Sequence, residues 1–217
     1  MLIAGLRPRS QGFSLLELVI VLAIVGILMA LGLPSFNEII RNSAIRSAAE
    51  STLTGFQLAK AEALKRNLTI RLAIVDAIDN TCTLLGAGVT APGYWIVSRN
   101  SAIGGCDAAA DPGISITPTS ATVFVLIKPP PTLNRTVEMT VSSNLYCFNS
   151  LGMLTNTNCA GATTAGGTID FTSPEGTCRT SLAGPGLACL RVAVSAGGTA
   201  RLCDPLVTTA GDSRRCP

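Results

Sequence analysis

One isolated carboxylate and eight cysteines are the residues of this chain whose types and spacing could do chemistry. The carboxylate is Glu17, which stands at the head of an apolar run, Leu18–Leu33, that carries no charge. An acid inside a membrane helix costs on the order of 2.5–3.5 kcal/mol on insertion scales, so it needs a partner or a task. The cysteines are Cys82, Cys106, Cys147, Cys159, Cys178, Cys189, Cys203 and Cys216. No two have the close spacing of a zinc knuckle, and the chain contains no histidine. An even set behind a hydrophobic N-terminus points instead to disulfides in an oxidising compartment. Eight cysteines allow on the order of a hundred pairings. The economical one joins sequence neighbours: Cys82–Cys106, Cys147–Cys159, Cys178–Cys189 and Cys203–Cys216. Each would close a modest loop and add about 2–4 kcal/mol.

Other chemistries find little support. Without histidine there is no Ser-His-Asp triad and no imidazole metal site. The carboxylates are scattered singly, with no acid/base pair. Gly161–Gly167 is glycine-rich but lacks a following Lys-Ser/Thr, so it reads as a loop rather than a phosphate cradle. No catalytic residue, cofactor or metal is expected, and the chain is not expected to be an enzyme. The net charge is +3, and without Arg7 and Arg9 it falls to +1. Bulk charge therefore gives no argument for an acidic partner.

The elements that must position these residues begin with the N-terminal run. From Phe13 to Leu33 a helix would be about 31 Å long, matching a hydrocarbon core of about 30 Å. Arg7 and Arg9 precede it, which keeps that side cytoplasmic and exports the rest. A cleaved secretory signal would use Leu28–Gly32 as its small-residue site, but Pro34 follows and the helical pattern continues. A plain membrane anchor would leave Glu17 unexplained.

Beyond Pro34, Ile45, Ala49, Thr52, Phe56, Ala59 and Ala63 recur at three- and four-residue steps. Arg46 with Glu50, and Glu62 with Arg66, are i,i+4 pairs expected on a solvated face. The pattern predicts one helix over Ser14–Arg66, softened or kinked at Gly26, Gly32 and Pro34. After Asn67 the period falls to two. Strands are predicted at Leu68–Ile74, Tyr94–Ser98, Thr122–Ile127, Thr136–Ser142, Thr168–Ser173, Cys189–Ser195 and Thr199–Cys203. Gly197-Gly198 marks a hairpin between the last two, and Lys128–Pro131 an exposed turn or edge. The fold class is α+β: one long helix on antiparallel β-sheet, stapled by disulfides. Ile70, Leu72, Ile74, Phe124, Leu126, Val137, Met139, Val192 and Val194 should fill the sheet face.

The run Gly12-Phe13-Ser14-Leu15-Leu16-Glu17, the apolar helix and Pro34 together resemble the signal of type IV prepilins and type II secretion pseudopilins. The resemblance implies the type IV pilin fold and three parts: a prepilin leader at 1–12, a transmembrane and polymerisation helix at 13–34, and a periplasmic or extracellular globular domain at 35–217. A leader peptidase would cut between Gly12 and Phe13 and methylate the new amine of Phe13. Glu17 and Pro34 then occupy positions where pilins carry these residues and serve assembly. Glu17 would pair with the Phe13 ammonium of a neighbouring subunit, and breaking such a buried pair costs about 3–5 kcal/mol.

Arg41–Asn67, and Thr199–Pro205 with Gly211–Pro217, are similar to the GspH/FimT group of minor pilins, the FimU type included. That resemblance implies a minor component that primes pilus assembly at or near the tip. Its partners would be other minor pilins, the major pilin, the prepilin peptidase and the inner-membrane assembly platform. It also implies a single-pass inner-membrane protein with a periplasmic C-terminal domain that later joins the pilus at the cell surface. One branch of the group binds DNA through a Gly-Arg-x-Arg motif. Here Gly198-Thr199-Ala200-Arg201 lacks the first arginine. Arg201, Arg214 and Arg215 could still gather once a disulfide folds back the tail and hold a phosphate backbone, opposed by Asp204 and Asp212. A type II secretion pseudopilin shares every N-terminal feature and stays open as a third reading.

Overall fold

The structure is a computed structural model that describes residues 14–107, 125–127 and 136–217, with residues 30–35 and 125–127 described through their backbone. Helix α1 spans Leu15–Arg66 and is followed by nine strands. The chain divides into two compact units at Ile39/Ile40, and α1 contributes to both.

The first unit is the N-terminal part of α1. Ser14 caps it: its hydroxyl accepts from the Glu17 amide at 3.2 Å, and its carbonyl accepts from the Leu18 amide at 3.2 Å. Ser14-Leu15-Leu16-Glu17 thus has the Ser-x-x-Glu pattern that starts helices. The side chains of 14–29 are exposed. The backbone is helical through Gly26, Gly32 and Pro34. Among the described residues no helix is long and apolar enough to cross a membrane. The uncharged stretch with described side chains, Leu18–Met29, is shorter than the roughly 20 residues a span needs. Phe13 and the side chains of 30–34, which complete the expected 13–34 segment, lie outside the described residues.

The second unit carries the core. The expected helical stripe is buried: Ile45, Ala49, Thr52, Ala59 and Ala63 are fully covered and Phe56 is 1% exposed. Arg46 and Glu50 form the exposed ion pair that the spacing predicts, at 2.8 Å. Glu62 and Arg66 also pair, but both side chains are largely buried rather than solvated, although Leu64 and Lys65 on the same turn are exposed. The helix ends in a left-handed residue, Asn67 (φ 53°), while the Leu68 amide reaches back to the Ala63 carbonyl at 3.3 Å. That back-bond satisfies a carbonyl the helix leaves open.

The strands form two antiparallel sheets, in keeping with the expected helix on antiparallel β-sheet. One has the order β4-β3-β1-β6, from Val125–Ile127, Tyr94–Ser98, Ile70–Val75 and Leu145–Phe148. The other has the order β2-β5-β7-β8-β9, from Thr90–Ala91, Glu138–Val141, Gly166–Thr172, Leu190–Ser195 and Ala200–Cys203. The main core joins α1 to both sheets through Leu72, Ile74, Tyr146, Phe148, Ile169 and Val192. Of the expected core residues, Ile70, Leu72, Ile74, Val137, Met139, Val192 and Val194 lie in it. Phe124, the side chain of Leu126 and the Lys128–Pro131 turn lie outside the described residues.

A second, smaller core covers the other face of the first sheet, with Ala73, Ile96, Leu145 and Cys147. A sheet buried on both faces loses the alternation that marks a strand. This is why Leu145–Phe148, buried at every position, carries no period-two signal. The two-residue β2 is too short to have one.

All eight cysteines pair as sequence neighbours, Cys82–Cys106, Cys147–Cys159, Cys178–Cys189 and Cys203–Cys216. The first two bridges are buried in the smaller core. The β8–β9 hairpin turns through Gly198 (φ 72°), with the Gly198 amide on the Ser195 carbonyl at 2.9 Å.

Candidate functional site

Two places carry the residues singled out by sequence. The first is the head of α1. Glu17 occupies the third helical position, where a carboxylate opposes the positive end of the helix dipole. Its side chain is exposed and has no ion-pair partner among the described residues. Gly12 and Phe13 lie outside the described residues, and Pro34 is described through its backbone. The capping role of Ser14 was missed in the sequence reading, although Ser-x-x-Glu ahead of an apolar run is a sufficient signal for it.

The second place is the C-terminal tail. The Cys203–Cys216 bridge folds residues 204–216 back on β9. Asp204 and Arg215 form a parallel bridge, with the Asp204 amide on the Arg214 carbonyl at 2.8 Å. This brings Arg201 beside Arg215: the Arg201 Nη2 donates to the Arg215 carbonyl at 2.9 Å. Both arginines line a hollow of about 450 Å³ with Ser213, Pro217 and the acid Asp212. Neither has a carboxylate partner among the described residues.

Arg214 does not join them. It pairs with Asp212, Nη2 to Oδ2 at 2.8 Å and Nε to Oδ1 at 3.2 Å. Those bonds hold the Asp212 carboxyl below its usual range and raise the Arg214 guanidinium. Asp204 is likewise committed, to Arg179 at 2.7 Å. The three-arginine cluster is therefore a pair, Arg201 and Arg215, with Arg214 facing a separate groove. Arg46 and Arg179 line that groove too. Sequence reasoning did not find it, because its residues come from the helix, a disulfide loop and the tail.

Other polar clusters serve the fold. Asp170 and Arg191, directly opposite on β7 and β8, form a bidentate pair at 2.6 and 3.0 Å. The Tyr146 hydroxyl is buried and makes no well-formed hydrogen bond, with the Ser142 hydroxyl as its nearby polar group. Burial pushes its phenol well above the usual range, and the Ser142 hydroxyl opposes this only in part.

A helix headed by Ser14 and the exposed acid Glu17, which has no ion-pair partner among the described residues, and continuing into an α+β unit with four bridges, is the plan of a pilin-like subunit. In agreement, residues 7–33 match the prokaryotic N-terminal methylation motif. Residues 48–198 match the type II transport protein GspH family, and the chain belongs to that family. It is 31% identical over 103 residues to the type IV narrow pilus major component PilA5 of Thermus thermophilus, covering 48% of this chain and 84% of the relative. Crystal structures of the type IV minor pilin FimU of Pseudomonas aeruginosa are also similar. One has a TM-score of 0.41 at 14% identity, covering 72% of this chain and 90% of FimU. The other has a TM-score of 0.43 at 15% identity, covering 74% and 88%.

Proposed function

We propose that this chain is a minor type IV pilin, a structural and non-catalytic subunit that primes filament assembly and sits at or near the tip. Prepilin peptidase would cut between Gly12 and Phe13 and methylate Phe13. The precursor would wait as a single-pass inner-membrane protein with residues 35–217 in the periplasm, and then enter the pilus beside the major and other minor pilins. The observation that carries this reading is the exposed Glu17, without an ion-pair partner among the described residues, at the head of the uncharged run Leu18–Leu33 within the matched methylation motif. Such an acid is costly in lipid and is satisfied by the Phe13 ammonium of a neighbour. The PilA5 relative, a pilus component by name, favours a pilus over a type II secretion pseudopilus.

Mass spectrometry of protein recovered from sheared filaments should find an N-methylated Phe13 start. Glu17→Val should leave export intact and deplete the protein from the filament fraction. An intact Met1 in filaments, or wild-type incorporation of the variant, would overturn the proposal. Deletion scored separately for twitching and for secretion separates pilus from pseudopilus.

A second reading, DNA capture in natural transformation, is supported by the Arg201–Arg215 pair. It expects salt-sensitive retention of DNA that is lost in Arg201→Ala/Arg215→Ala. The same loss in Arg214→Ala alone would argue against it, since Arg214 lines a separate groove from Arg201 and Arg215.

A further inference from the structure

The groove that receives Arg214 has about 530 Å³ of space, enough for one or two side chains. Its floor is apolar, from Ala188, Leu190 and Leu202. Its rim carries three guanidinium groups from three elements: Arg46 on α1, Arg179 on the loop that Cys178–Cys189 closes, and Arg214 on the tail. The only carboxylate in its lining is Asp204, which is 9% exposed and committed to Arg179. Arg46 and Arg214 have their own partners, Glu50 and Asp212, outside the lining, and remain 71% and 65% exposed. A guanidinium has five donors, so each rim arginine keeps N–H groups to offer.

The walls are also fixed in advance. The Ala188 amide donates to the Asn42 side chain at 2.8 Å, which fastens the loop to α1, and Arg41 binds Glu175, just before the loop, at 3.1 Å. The Cys203–Cys216 bridge holds the opposite wall. Each rim guanidinium is offset by one carboxylate, so the rim offers directed N–H donors rather than net charge, and a preformed apolar slot of this kind loses little freedom on binding.

We propose that this groove is a docking site for an acidic, apolar peptide segment of a neighbouring pilin subunit. An apolar side chain fills the floor, and flanking carboxylates meet Arg46 and Arg214. Complementary charge at such a rim steers and registers a partner more than it tightens it. A nucleic-acid strand is the poorer fit, since the enclosed space is small, the floor is greasy, and Asp204 lies in the wall. That the partner is a pilin rests on the filament reading above.

The test uses mature full-length protein in detergent and a fluorescein-labelled Leu-Glu-Leu-Asp-Leu peptide with blocked ends. Its Leu-Gln-Leu-Asn-Leu counterpart and a short single-stranded oligonucleotide are the comparators. The acidic peptide should bind about tenfold tighter than the neutral one, the sum of two exposed ion pairs. Arg46→Gln and Arg214→Gln should each weaken it about two- to fivefold, with Arg46→Lys retaining most of the affinity and all three variants melting like the wild type. Equal binding of the two peptides, tighter binding of the oligonucleotide, or indifference to both substitutions overturns the assignment. If the acidic peptide is preferred but the protein is absent from filaments, the filament reading fails and the groove stands. If filaments contain the protein and the peptide is not preferred, the groove fails alone.

Discussion

Gly55 and Trp95 meet through a missing side chain: a Cβ added at Gly55 would lie 2.7 Å from Trp95 Cδ2. The indole is fixed there by its Nε1, which donates to Ser51 Oγ one turn earlier at 3.1 Å. A glycine inside a helix costs about 1 kcal/mol against alanine, so its position here needs a packing reason, and the indole supplies one.

The contact sets the sign of a mutation. By helix propensity alone Gly55→Ala should stabilise; by packing it should destabilise by about 1–3 kcal/mol, since β3 cannot retreat without disturbing the core. We expect a net loss, read as a lower urea midpoint and a shifted tryptophan emission. A raised midpoint would mean that Trp95 moves aside at little cost.

Acid should weaken the Asp76 turn. Burial tends to raise this carboxyl, but the Thr83 hydroxyl and amide, bonded to it at 2.6 and 2.7 Å, together with the Asp76 and Ala77 amides outweigh burial and leave it below its ordinary value. A group depressed in the folded state adds stability above its unfolded value, and that stability is lost as pH falls through the folded one. Wild-type stability should therefore decline below about pH 4. In Asp76→Asn it should be lower at neutral pH and depend less on acid. Parallel pH profiles of unfolding midpoint for the two proteins would contradict this.

The four bridges should yield to reductant in order of access. Cys82, Cys106, Cys147 and Cys159 are at most 1% exposed, whereas Cys178 is exposed at the surface. Exchange needs a thiolate to reach a sulfur. Brief reduction, alkylation and peptide mapping should label Cys178 and Cys189 first and the buried four last. Simultaneous labelling of all eight would indicate global unfolding before reduction.

Some of the molecule was readable from local pattern. The extent of α1, its buried stripe and the β8–β9 hairpin follow from period and turn chemistry, which act over a few residues. The pairing of cysteines by sequence neighbour also came out of chain economy. Leu145–Phe148 was not readable, because burial on both faces erases alternation. The burial of Glu62 and Arg66 was not readable either, because an i,i+4 pair looks the same on an open face and under a fold.

By itself the sequence determined the head of the helix. Ser14, Glu17 and the apolar run that follows are neighbours in sequence, and a helix start depends on spacing along the chain. Only the tertiary structure decided how the arginines are shared. Arg201 was set beside Arg215, and Arg214 was turned to Asp212 and grouped with Arg46 and Arg179 over an apolar floor. Those residues are far apart in sequence. Which of them meet depends on the path of the Cys178–Cys189 loop and the Cys203–Cys216 tail, and no local preference encodes that path.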